Sequence, residues 1–150
     1  MTRVFLGLAL LMIAQQKPDF SGEWILNREA CTLSPAAGAI HGGVARIEHR
    51  DPTFHYKSTL TSESGQVQIE FELPSDGNEV VSSQQGMKSA SNLRWAGESL
   101  LFTSRIQLPN GDLSISFRYE LINEGHRLRA VEQLRGSGRD QDNIWIFDRH

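Results

Sequence analysis

The sequence predicts an all-β domain, an antiparallel up-and-down meander of about eight to ten strands closed, or nearly closed, into a barrel. Three observations carry this. Apolar and polar residues alternate strictly in several windows, turn-forming residues separate those windows at hairpin spacing, and no window of similar length carries a 3.6-residue apolar stripe.

The chain opens with Thr2 and Arg3 before the apolar run Val4 to Ala14. That run has the length of a signal-peptide core and is too short to cross a bilayer as a helix. Residues 1–14 are therefore expected to be a leader and residues 15–150 one domain, exported to the periplasm or secreted. Cleavage after Ala14 suits the small residue there, although Met12 is bulky for the position two residues earlier.

The mature part then alternates. Val67, Ile69, Phe71 and Leu73 share one face, and Gln66, Gln68, Glu70 and Glu72 the other. This pattern suits a strand with one face on a core and one in water. Leu113, Ile115, Phe117, Tyr119 and Leu121 repeat it. Leu100, Phe102, Ile106 and Leu108 do the same, with Ser104 breaking the row. Asp51-Pro52, Glu63-Ser64-Gly65, Asp76-Gly77-Asn78, Ala96-Gly97-Glu98, Asn110-Gly111, Glu124-Gly125 and Gly136-Ser137-Gly138 supply the turns. Asn110-Gly111 is the strongest of these, since both residues tolerate positive φ. Strands are expected near 22–27, 44–50, 54–62, 66–73, 79–84, 87–95, 99–108, 112–122, 126–134 and 142–149. The long connection 28–43 is expected to cross or cover one barrel end.

Composition narrows the function. Charged residues make up 22% and the net charge is −3, so no basic excess exists to neutralise phosphates and nucleic acid is not an expected partner. Once the leader is removed no membrane span is expected. Cys31 is the single cysteine, so the monomer forms no disulfide, and its expected state is a buried, inert thiol. No cysteine or histidine cluster points to a metal, and no cofactor motif occurs.

Phe20-Ser21-Gly22-Glu23-Trp24 resembles the opening strand of the lipocalin and calycin group. The resemblance implies that Trp24 of the Gly22-x-Trp24 motif plugs one barrel end and that an arginine of the last strand packs over it. Arg149, in Asn143-Ile144-Trp145-Ile146-Phe147-Asp148-Arg149, is the matching candidate. The wider order is similar to exported bacterial lipocalin-like domains, through Ile47 to Pro52, Leu93 to Leu100 and Gly125 to Leu128. Gly22, Trp24 and Arg149 are thereby assigned a structural role, which suits an indole plate under a planar guanidinium.

Function is sought on the inward faces. Met87, Ser89, Ser91, Leu93 and Trp95 form one row, while Ser104 interrupts another. Phe54, Tyr56, Ser58 and Leu60 share a face, as do Ala45, Ile47 and His49, and later Leu128, Ala130 and Glu132. A packed core prefers branched aliphatics, so inward polar groups suggest a space for water or a ligand. The candidate lumen is Tyr56, Ser89, Ser91, Trp95, Ser104, Tyr119, Glu132 and His49. A bulge that flips the register would instead turn Ser89 and Ser91 to solvent.

No G-x-S-x-G elbow, H-E-x-x-H helix or phosphate loop occurs, and no catalytic residue is assigned. His49 and His55 flank Asp51-Pro52 and are expected as exposed hairpin residues able to approach each other, without the third ligand that zinc needs. Glu70 and Glu72 are expected in water beside Arg105, Arg118 or Lys88. The leading expectation is a non-enzymatic barrel holding a small hydrophobic or amphipathic molecule. The alternatives are a structural or interaction module with a filled core, and a small enzyme using Glu132 or His49 as general base.

Overall fold

The computed structural model describes residues 16–150, and the leader expected over 1–14 lies outside them. Ten strands follow one another: β1 Gly22–Leu26, β2 Ile40–Arg50, β3 Thr53–Ser62, β4 Gly65–Pro74, β5 Val80–Gln84, β6 Met87–Ala96, β7 Ser99–Leu108, β8 Gly111–Ile122, β9 Arg127–Arg135 and β10 Gln141–Arg149. The only helical piece among the described residues is a 3-10 turn at Arg28–Ala30. All neighbours pair antiparallel, in the order β4-β3-β2-β1-β10-β9-β8-β7-β6-β5. The first and last strands therefore meet in the middle of the sheet, and its two edges, β4 and β5, come face to face as the sheet curls into a nearly closed barrel.

Closure is uneven. The connection after β4 zips onto β6, through the Asp76–Arg94 bridge and the Gly77 N–H donating to the Leu93 carbonyl at 2.9 Å. Beyond that point β4 and β5 share no ladder, and a seam opens between them. Near the zipped end Phe20, Trp24, Ile47, Phe54, Leu93, Leu100, Leu128 and Phe147 are buried together as the core. The large buried aromatic side chains Phe20, Trp24, Phe54 and Phe147 all belong to this end.

Strand boundaries differ from the sequence expectation chiefly at β2. It starts at Ile40 instead of 44, running through Gly42 and Gly43 with a bulge that shifts its register against β3. A Cβ on Gly43 would lie 2.8 Å from Leu60 Cδ2 and 3.1 Å from the Thr59 carbonyl, so a larger residue there requires its β3 neighbours to shift. The β7–β8 loop consists of Pro109 and Asn110, and its positive φ falls on Gly111 alone. The turn is thus centred one residue earlier than Asn110-Gly111 suggested.

The connection between β1 and β2 crosses the open end beside β10. Thr32 bridges Ile144, the Ser34 N–H donates to Asn143 Oδ1 at 2.7 Å, and the Ser34 hydroxyl donates to Gln141 Oε1 at 3.0 Å. Ala37 is buried, and Cys31, Leu33 and Ile40 pack against the core. This segment covers part of the mouth and leaves the seam uncovered.

Candidate functional site

The inner face is fixed by register. β6 pairs with β7 without interruption from Ser89–Ile106 to Ala96–Ser99, so no bulge reverses it. Ser89 and Ser91 therefore share the inner face with Leu93 and Trp95. The Ser91 hydroxyl donates to the Ser104 hydroxyl at 2.8 Å, and Ser104 is buried. Two hydroxyls that face each other satisfy part of their hydrogen bonding without water, which lowers the cost of placing them inside.

Above the core, aromatic rings from four strands meet. Tyr56 stacks on Phe71 at 5.1 Å between centroids, and Phe71 meets Phe102 at 4.9 Å across the interior. Phe117 stacks on Tyr119 at 5.6 Å. The row continues from Phe102 to Phe117 and from Tyr119 back to Tyr56, both at 6.2 Å. Offset contacts of this kind add to simple burial because ring edges and faces carry opposite partial charge. Burial pushes the Tyr119 hydroxyl well above its ordinary pKa of 10.0, and that of Tyr56 is raised for the same reason. The Glu132 carboxylate adds to both shifts. Ser58 is buried close enough to favour the Tyr56 phenolate slightly, yet its Oγ makes no hydrogen bond of good geometry.

Glu132 pairs in register with Phe117 on one side and Asn143 on the other. Its Oε2 accepts the Trp145 indole N–H at 2.7 Å and the Asn143 amide at 3.0 Å. Both donors are neutral, and among the described residues no hydrogen bond falls on Oε1. Asn143 in turn receives the Ser34 N–H, so the segment over the mouth is tied to the interior carboxylate through one side chain. Asn143 and Trp145 were not among the sequence candidates. Their alternation with Ile144 and Ile146, which are equally apolar, hid which face of β10 turns inward.

His49 and Trp95 lie elsewhere, at the closed end. Their rings stack at 5.5 Å, and Lys17 Nζ sits 4.9 Å from the Trp95 ring centroid. Asp51 Oδ1 accepts the Trp95 indole at 3.2 Å and the Ser75 hydroxyl at very short range, and His49 Nε2 lies 3.4 Å away without hydrogen-bond alignment. His49 is buried, not an exposed hairpin residue as expected. His49 and His55 do not approach, because adjacent strand residues point to opposite faces: His49 pairs with inward Phe54, and His55 with outward Glu48. His55 contacts Glu70 at 2.9 Å, so the outer face of β4 is partnered by β3 and not by Arg105, Arg118 or Lys88. Among the described residues no group of three or more His, Cys, Asp or Glu is placed to hold a metal.

Gly22, Trp24 and Arg149 meet at the same end. Arg149 Cζ is 4.2 Å from the Trp24 ring centroid, and the two residues are register partners on β1 and β10. The structure thus places the eight candidate lumen residues in two groups. Tyr56, Ser89, Ser91, Ser104, Tyr119 and Glu132 occupy the middle and open part of the interior, while His49 and Trp95 belong to the closed end.

Two open grooves lie on the outer face of the second half of the sheet. The larger, about 640 Å³, is lined by Lys88, Arg105, Gln107, Ser114 and Arg135 and borders Ser89 and Ser104. Arg135 there is already paired with Asp142 at 2.7 Å. The groove is open to water, and Ser104, the buried polar residue on its border, already has its hydroxyl paired with Ser91.

These features define a calycin-like β-barrel. The fold is similar to secretory abundant heat soluble protein 4 from Ramazzottius varieornatus, at 14% identity and a TM-score of 0.54, covering 91% of this chain and 100% of that one. It is similar also to zebrafish ileal bile acid-binding protein complexed with cholic acid, at 16% identity and a TM-score of 0.54 over 87% and 98% of the two chains. Human cRBP IV gives 16% identity and a TM-score of 0.53 over 89% and 99%. No protein-family model and no curated protein sequence matches the chain.

Proposed function

We propose that the protein is an exported, non-enzymatic barrel that holds one small hydrophobic or amphipathic molecule in the open part of its interior. One observation carries this reading. Of the seven large apolar side chains left exposed among the described residues, four are on the inner face beside the seam: Val67 at 53%, Ile69 at 43%, Val80 at 38% and Met87 at 44%. Apolar residues on the lumenal side of a sheet that still meet water form a surface an apolar chain would desolvate. Covering about 100 Å² of it stabilises a complex by roughly 2.5 kcal/mol before ordering costs.

The similarity to a barrel solved with cholic acid agrees with this reading and extends to fold alone. Export rests on the apolar run Val4 to Ala14. A filled, purely structural barrel is the competing reading, favoured by the ring contacts between Phe71 and Phe102. Native mass spectrometry of the purified protein, followed by extraction of anything bound, separates the two. A reproducible adduct, or a melting-temperature rise with members of a lipid and metabolite panel, is the expected result. An empty protein that none of the panel stabilises defeats the binding proposal.

A further inference from the structure

The interior is electrostatically one-sided. Round the ten strands, the inner-face positions carry a single carboxylate, Glu132. Arg149 is the one lysine or arginine on that face, and it lies at the closed end over Trp24. Arg28, in the segment over the mouth, spends its guanidinium on the Ile40 and Gly38 carbonyls at 2.7 and 3.4 Å. Among the described residues, none of the seven ion pairs involves Glu132.

A part-buried carboxylate held by two neutral donors lacks a counter-charge, and the cost of desolvating it is offset most effectively by a cation. The aromatic lining favours the same sign. Phe117 is the cross-strand neighbour of Glu132, Trp145 donates to it, and the Tyr56 and Tyr119 hydroxyls feel its charge. Ring faces attract cations and repel anions. Oε1, which takes no hydrogen bond among the described residues, is the acceptor an ammonium N–H would use.

Resting on the binding reading above, we infer that the barrel selects an amphipathic amine: its protonated head group pairs with Glu132 inside the ring of aromatic side chains. Its alkyl part runs out along Val67, Ile69, Val80 and Met87 at the seam. An anionic amphiphile of the same length would bring a second negative charge beside Glu132 and is disfavoured.

The test is a matched head-group series on the mature protein at neutral pH. Decylamine, decanol and decanoate are titrated calorimetrically below their micelle concentrations. Decylamine is expected to bind at least about tenfold tighter than decanol, as a charge-assisted hydrogen bond implies, with decanoate the weakest. In E132Q, which keeps an acceptor for Trp145, the amine should fall to the affinity of the alcohol while the alcohol changes little. The wild-type series decides even if that variant fails to fold. Equal affinity for all three head groups, or a preference for decanoate, overturns the amine inference and leaves a ligand-binding barrel standing. If none of the three binds or stabilises the protein, the amine inference falls, and the binding reading is decided separately by the native mass spectrometry and ligand panel above.

Discussion

The guanidinium of Arg149 is centred 4.2 Å from the ring of Trp24, and its Nη1–H donates to the Ser21 carbonyl at 2.7 Å. Its Nε–H reaches the Gly125 carbonyl at 3.0 Å, while the Trp24 indole donates to the Phe20 carbonyl at 3.0 Å. The pair thus joins the entry into β1, the β8–β9 turn and the end of β10, three places far apart in sequence. Barrel closure at this end depends on contacts of high sequence separation, which local propensity does not supply.

Truncating Trp24 should therefore be costly. Trp24→Ala is expected to lose about 3–5 kcal/mol, as for a fully buried aromatic, and Arg149→Ala about 1–3 kcal/mol through the ring contact and two hydrogen bonds. Urea unfolding of the three proteins measures this. An unchanged midpoint for Trp24→Ala contradicts the plug role.

Gly22 offers an independent probe of the same corner. Its φ is +141°, and an added Cβ would sit 2.7 Å from Arg149 Nη1. Gly22→Ala should cost about 1–3 kcal/mol, since backbone strain and displacement of the guanidinium combine. If alanine is accepted with wild-type stability, the arginine does not occupy that position in solution.

Much of the fold was legible because its strands are two-sided. In 66–73 and 113–121 one face is apolar and the other polar, and the pleat translates that directly into inside and outside. The start of β2 was hidden, since His41-Gly42-Gly43 carries turn residues although the chain there is extended. Glu132 could be placed inward from its neighbours Leu128 and Ala130. Its partners could not, because β10 is apolar on both faces where the 28–39 segment packs against it. Asp51 illustrates the same limit. Its contacts with Ser75 and Trp95 join residues 24 and 44 positions away, and no local pattern announces them.

The two tyrosines of the chain, Tyr56 and Tyr119, provide an optical test of the interior. Burial raises both hydroxyl pKa values, Tyr119 strongly and the partly exposed Tyr56 less. A folded-state pKa above the unfolded one contributes stability that is complete below pH 10 and is lost as the pH rises beyond it. Phenolate absorbance should stay low through pH 10 and then rise together with loss of the folded-state signal. Reversible titration of one full tyrosine near pH 10 in the folded protein contradicts this placement.

Cys31 should react slowly. Its thiol accepts the Ile146 N–H at 3.2 Å and faces the Asn27 carbonyl at 3.3 Å, and burial raises its pKa above 9.0. A thiol with little thiolate at neutral pH is a poor nucleophile. Modification by a disulfide reagent should be at least about tenfold slower in native than in urea-unfolded protein. Equal rates would place the sulfur at the surface.

Asp51 contributes to the acid sensitivity of the closed end. The Ser75 hydroxyl first, and then the Trp95 indole and the nearby His49 and Lys17, hold its carboxyl below the usual 3.8. Because the folded-state pKa is depressed, the contribution is present above the unfolded value and disappears as the pH falls through the folded one. The side chain is largely exposed, so solvent screens its charge interactions and its hydrogen bonds to Ser75 and Trp95 carry most of the effect. Asp51→Asn is expected to lower stability at pH 7 by about 1 kcal/mol and to narrow the gap to wild type below pH 4. Denaturant midpoints for both proteins at pH 7 and pH 3 check it. A gap between them that is the same at the two pH values would mean that the Asp51 charge contributes nothing to closing this end of the barrel.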